Sequence, residues 1–124
     1  MDRTFIALGA VLAFLGVAAG AFGAHGLKKY FEMNPELHPV FKTAVEYQMY
    51  HSLALLAVAW AATQWPGGWI RAAGVLFAGG IVLFSGSLYA YALTGVKLFG
   101  AITPIGGLAL LAGWLCLAAC VWRR

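Results

Sequence analysis

Four long stretches of the chain are nearly free of charge, and short polar segments separate them. A helix rises about 1.5 Å per residue, so a hydrocarbon layer about 30 Å thick asks for roughly 20 apolar residues in a row. The first stretch, residues 4–24, carries no charged side chain. The second, 41–63, is polar in its first third (Lys42, Thr43, Glu46, Tyr47, Gln48, Tyr50, His51) and apolar afterwards. The third, 69–93, has Arg71 at its start and is otherwise uncharged, and Arg123 and Arg124 close the fourth, 101–122. The pattern predicts an all-α protein: an integral membrane bundle of four transmembrane helices, one membrane domain over 1–124, with linkers at 25–40, 64–68 and 94–100. Sheet structure is not expected, because lipid leaves the edges of an open sheet without hydrogen-bond partners.

The first stretch also resembles a secretory leader, with Arg3 in front and small residues at Ala21, Gly23 and Ala24. Its apolar run is longer than the apolar region of such a leader, which favours a retained helix. Four spans put both termini on one side. That side would hold Arg3, Arg71, Arg123 and Arg124, and the other Lys28, Lys29, Lys42 and Lys97, a tie under the positive-inside rule. Arg3 just before the first span and the Arg pair just after the last tip the expectation towards cytoplasmic termini.

Composition sharpens the membrane reading. Hydrophobic residues make up 63% of the chain and charged ones only 10%, against about 25% charged in a soluble domain. The net charge of +4 could suggest nucleic acid, but the basic residues stand singly or in pairs at the ends of apolar runs and form no stripe. The expected partner is the lipid bilayer of the cell inner membrane, and no nucleic acid. Cys116 and Cys120, four apart on one helix face, read as packing residues.

Small residues recur at helical spacing. Gly9, Ala13, Gly16, Gly20 and Gly23 form a narrow stripe on the first helix; Gly74, Ala78, Gly79, Gly80 and Gly86 recur on the third, and Gly106, Ala109 and Gly113 on the fourth. Such residues let helix backbones approach closely in lipid. Close packing within one protomer is the expected use, and a homo-oligomer through an outward-facing stripe is the alternative. The chain also hints at duplication. Residues 53–57 (Leu-Ala-Leu-Leu-Ala) recur at 108–112, and Val11-Leu12 can be set against Val75-Leu76, which would make two helical hairpins of one orientation.

The chemistry concentrates on the second helix. At 100° per residue, Thr43, Glu46, Tyr47, Tyr50 and His51 share one face, which Ala54, Ala57 and Ala61 extend, while Gln48 and Ser52 point elsewhere. An ionisable group towards lipid costs a few kcal/mol, so this face is expected to turn inward. His25 follows the glycine-rich first helix, and Gly26 behind it lets the chain turn. It is expected within hydrogen-bond reach of Glu46, Tyr47, Tyr50 or His51, directly or through one water. Those five residues are candidates for a proton relay or for anchoring a ligand headgroup; the plainer reading is a network that fixes helix register. Glu46 and His51 are five apart, which is not the spacing of a helical metal motif, so neither a metal nor a cofactor is expected. Ser85, Ser87 and Thr103 could wall a pocket or simply bond helices together, with Thr103 and Pro104 suited to opening the fourth helix. His38, between two prolines, reads as a loop residue. Residues 27–31, mixing Lys28 and Lys29 with Tyr30 and Phe31, read as an interfacial segment, and Trp65, Trp69, Trp114 and Trp122 as an aromatic belt.

Four blocks are similar to the signature of a bacterial membrane-protein family. They are Gly20-Ala21-Phe22-Gly23-Ala24-His25-Gly26-Leu27, Glu46-Tyr47-Gln48-Met49-Tyr50-His51-Ser52-Leu53-Ala54, Leu83-Phe84-Ser85-Gly86-Ser87-Leu88-Tyr89 and Thr103-Pro104-Ile105-Gly106-Gly107. The family is the domain of unknown function 423, which is similar to eukaryotic transmembrane protein 256. The resemblance implies a small inner-membrane protein and brings no activity with it. With no catalytic motif in the chain, the expectation is a non-enzymatic module that binds a lipid, a quinone-like molecule or a membrane partner. The alternative is an oligomeric transporter of a proton, ion or small solute through the Glu/His cluster.

Overall fold

The computed structural model describes residues 2–122, and no strand occurs among them; Arg123 and Arg124, on which the orientation argument leaned, lie outside the described residues. Four long helices, α1 (Asp2–His25), α3 (His38–Gln64), α4 (Gly68–Thr94) and α5 (Thr103–Trp122), are joined by a short helix α2 (Lys28–Met33) and by 3-10 turns at Pro35–Leu37 and Lys97–Ala101. α1, α4 and the segment Lys97–Trp122 that includes α5 are long and apolar enough on their own to cross a membrane. α3 is as long as α4, but its polar first third dilutes it.

The ends are set locally. α4 stops at Gly95, whose φ of 73° is the left-handed cap conformation; its N–H bonds back to the Tyr91 carbonyl at 2.7 Å. α3 begins three residues earlier than the apolar pattern implied, because the Pro35–Leu37 turn runs straight into it. His38 is thus the first residue of α3, exposed, with its ring stacked 5.0 Å from Phe31. α2 folds under this end: Phe31 is buried against Phe41 and Ala92, and the Tyr30 hydroxyl donates to the Ala92 carbonyl at 2.7 Å.

The long helices pack in the order α1, α3, α4, α5. Phe5 of α1 reaches the α4 backbone at Gly74, and Trp114 of α5 reaches His51 of α3, so the row is folded rather than flat. The glycine stripe of α1 is spent on α3: Gly9 meets Leu55 and Leu56, Gly16 meets Met49, Gly20 meets Val45 and Gly23 meets Phe41. Gly80 and Gly113 pack against Leu110 and Phe77 across α4 and α5, whereas Gly79 and Gly86 face open space. Much of the outside is apolar. Phe14 is 71% exposed and Leu115 73%, which only a lipid surround tolerates over so much surface.

The two hairpins, α1 with α3 and α4 with α5, repeat one packing theme. Leu55 and Leu110 are both buried, each against a glycine of the preceding long helix, Gly9 and Gly80; Leu53, Leu56, Leu108 and Leu111 are all exposed. Those contacts set Gly9 opposite Gly80. Val11-Leu12 then corresponds to Val82-Leu83, and not to Val75-Leu76 as the bare sequence suggested.

Candidate functional site

The polar residues of α3 divide between two faces. Gln48 and Ser52 are buried in the seam between α1 and α4. The Gln48 amide donates to the Leu12 carbonyl of α1 at 2.8 Å, and its oxygen accepts from the Tyr89 hydroxyl of α4 at 2.6 Å. Gly16 makes this reach workable, since a side chain there would run into Met49 and crowd Gln48. One side chain thereby ties three helices. Ser52 bonds back to the Gln48 carbonyl, and Ser85 of α4 donates to the Ala44 carbonyl of α3 at 2.7 Å.

The other face carries His51. Its Nε2 lies 3.0 Å from Trp114 Nε1, and its Nδ1 lies 2.8 Å from the Tyr47 carbonyl oxygen. An indole N–H can only donate, so Nε2 accepts and the imidazole proton rests on Nδ1, which donates to Tyr47. Both nitrogens of a neutral ring are therefore engaged. Phe77 packs on His51 and edge-on against Trp114, with ring centroids 5.6 and 4.9 Å apart.

Beside this pair runs a lateral groove of about 590 Å³ between α3, α4 and α5. Tyr47 and His51 wall it from α3 and Phe84 from α4, while α5 supplies Pro104, Gly107, Leu108, Leu110, Leu111 and Trp114. Tyr47 stacks on Phe84 at 4.7 Å. From Pro104 to Trp114 the groove follows about 15 Å of helix axis. Elsewhere on α3, the Tyr50 hydroxyl donates to Glu46 at 3.2 Å, and Lys42 approaches the same carboxylate at 4.0 Å. The groove wall itself is almost wholly aromatic and aliphatic, and Glu46, Tyr50 and Lys42 are not among the residues that line it.

The expected cluster assembles only in part. His51 is buried, but Tyr47 and Tyr50 are exposed, as is Ala57, so the face does not turn inward as a whole. His25 does not join it: no hydrogen bond links His25 to Glu46, Tyr47, Tyr50 or His51, and its side chain is exposed. The cause is register and rotation. Gly23 sits opposite Phe41 and Gly20 opposite Val45, which leaves His25 about 10 Å further along the axis than Glu46. α1 also covers the Gln48 face of α3, not the Glu46 face. Ser87 shares a 2.6 Å hydrogen bond with Thr103 where α4 meets α5; like Ser85, both residues join helices, and none of the three lines the groove. Gln48, Tyr89 and Trp114 are the polar participants that the sequence reading passed over. Trp114 stands mid-helix in α5 rather than in a terminal belt.

A family model described as a protein of unknown function, DUF423, matches residues 19–107. The chain belongs to this family. All four sequence blocks fall inside the match. A membrane protein of Bacillus subtilis, named UPF0382 membrane protein YwdK, is 46% identical over 119 residues, covering 91% of each chain. The UPF0382 inner membrane protein YgdD of Escherichia coli K12 is 42% identical over 113 residues, 91% of this chain and 85% of its own. A UPF0382 membrane protein of Staphylococcus aureus is 43% identical over nearly the full length of both. No solved structure matches the chain. Like these relatives, it is a membrane protein, of the cell's inner membrane as YgdD is named, and its family has no assigned activity.

Proposed function

We propose that the protein is a non-enzymatic membrane module that holds a lipid-soluble amphiphile, a lipid or a quinone-like molecule, in the groove between α3, α4 and α5. One observation carries this reading: the groove between α3, α4 and α5 is lined almost wholly by aromatic and aliphatic side chains, with Tyr47, His51 and Trp114 as the residues in its wall that carry polar groups. Its volume falls within the range of small-molecule sites, about 300–1,000 Å³. Transport is supported less well, because Gln48, Ser52, Ser85 and both nitrogens of His51 are already hydrogen-bonded within the protein and offer no chain of free sites. The reading includes four membrane spans. α3 lies between α1 and α4 along its length, so where those two cross, α3 crosses with them, its polar third near one surface. Both termini then share a side, the cytoplasmic one if Arg3 obeys the positive-inside rule.

The test is to purify the full chain in a mild detergent and weigh it intact by native mass spectrometry. Wild type is expected to retain a bound amphiphile near one per chain, and Leu108→Trp, which fills the groove from its exposed rim, to lose most of it. Equal retention by both proteins would contradict the proposal.

A further inference from the structure

A second cleft, of about 320 Å³, opens on another face of α3, between α1 and α4, and shares no lining residue with the groove. Leu15 and Phe22 wall it from α1, Phe41 from α3 and Leu93 from α4. No charged side chain lines it, and its polar side chains are Gln48 and Tyr89. From Gln48 to Phe41 it follows about 10 Å of the α3 axis. Gln48 is 5% exposed, yet its hydrogen bonds are incomplete. A primary amide has two N–H donors and an oxygen that accepts twice. One N–H goes to the Leu12 carbonyl, and the Tyr89 hydroxyl takes one place on the oxygen. Among the described residues nothing engages the second N–H, and the Tyr89 oxygen accepts no hydrogen bond. Leu12 stands near the middle of α1 (Asp2–His25), so the spare donor lies about 15–20 Å from either end of that helix. Bulk water does not reach that depth in a bilayer, and a hydrogen bond left unmade there is costly.

We infer that the cleft between α1, α3 and α4 binds an uncharged, lipid-soluble molecule through one acceptor oxygen, a carbonyl or a hydroxyl, which takes the second N–H of Gln48. The lining sets the class. Without a charged group in the wall, nothing there would offset the desolvation of an ion. A phospholipid fits poorly, because its head group and ester oxygens stay near the bilayer surface while the donor stands at mid-depth. A hydroxyl also has a proton to give to the Tyr89 oxygen, whereas a carbonyl leaves that oxygen as it is. The rest of the molecule meets only aliphatic and aromatic side chains. This site is independent of the groove reading, since it uses a different face of α3 and different neighbours.

The experiment irradiates the full-length protein in lipid nanodiscs with benzophenone, a ketone that inserts into nearby C–H bonds, and maps the crosslinks by mass spectrometry. Crosslinks at Leu15, Phe22 and Leu93 should exceed those at Phe14, which faces the lipid. Cyclododecanone and cyclododecanol, at equal mole fraction in the lipid, should suppress the cleft crosslinks about three- to tenfold more than cyclododecane, the difference one hydrogen bond makes. Gln48→Leu should erase that difference. Leu93→Trp, a half-exposed position that fills the cleft without touching Gln48, should abolish the cleft crosslinks even if the Gln48 variant folds poorly. Leu108→Trp should leave them unchanged, so a failure of the groove reading does not carry over to this site. Cleft crosslinks no stronger than those at Phe14 would overturn the inference, and so would equal suppression by all three cyclododecyl compounds.

Discussion

At the scale of single residues, the side chain with the widest reach is Gln48. It is 5% exposed and bonded to α1 and α4 at once, so its loss strips partners from two helices. Interhelical hydrogen bonds in membranes contribute about 0.6–2 kcal/mol each. Gln48→Leu is expected to lower stability by about 1–3 kcal/mol in a denaturing-detergent titration, since it leaves the half-buried Tyr89 hydroxyl without its partner. Tyr89→Phe should cost less, and the double variant less than the sum, as contacting residues are coupled. A Gln48→Leu protein as stable as wild type would show that the clamp is ornamental. This residue was hard to read in the sequence because it follows Tyr47 and so points about 100° away from the conspicuous tyrosine–histidine face. Only the position of α1, with Gly16 opposite, turns that direction into the interior. Trp114 left a clearer trace: a tryptophan midway along an apolar run is far from the interface where such rings usually anchor.

At the scale of elements, the glycines divide into those the packing requires and those it leaves alone. A Cβ on Gly106 would overlap the backbone of Leu83 and Phe84 in α4, and nothing there can rotate aside. Gly106→Ala must push α5 off α4, at about 1–3 kcal/mol for an overpacked contact. Gly79→Ala meets open space and should be neutral or gain up to about 1 kcal/mol in helix propensity. Thermal unfolding followed by circular dichroism in detergent separates the two, and equal melting temperatures would contradict the α4–α5 packing. The small-residue stripes were legible from spacing alone, as were the long helices, because charge is excluded from their apolar cores. The direction each stripe faces was not. Nor was the join of α1 to α3, where the short helix α2 and a 3-10 turn take up the slack and leave His25 beyond Glu46.

For the molecule as a whole, the sequence carried the all-helical class and the membrane setting, because 63% hydrophobic residues in long uncharged runs leave few other ways to satisfy backbone hydrogen bonds. It could not carry the groove. That space exists because α5 packs on α4 through Gly106, Leu110 and Gly113 and reaches α3 with Trp114, which bonds His51, an outcome of helix rotation that periodicity does not encode. The central claim is that this space holds an amphiphile inside the bilayer, with α3 spanning beside it. An experimental structure of the full chain in a lipid nanodisc, at a resolution that shows ordered lipid, tests that claim most directly. Elongated non-protein density is expected along Leu108 and Leu111, beside Tyr47, Phe84 and Trp114, with α3 immersed to the same depth as α1 and α4. A groove closed by its own side chains, or α3 lying outside the lipid slab, would contradict it.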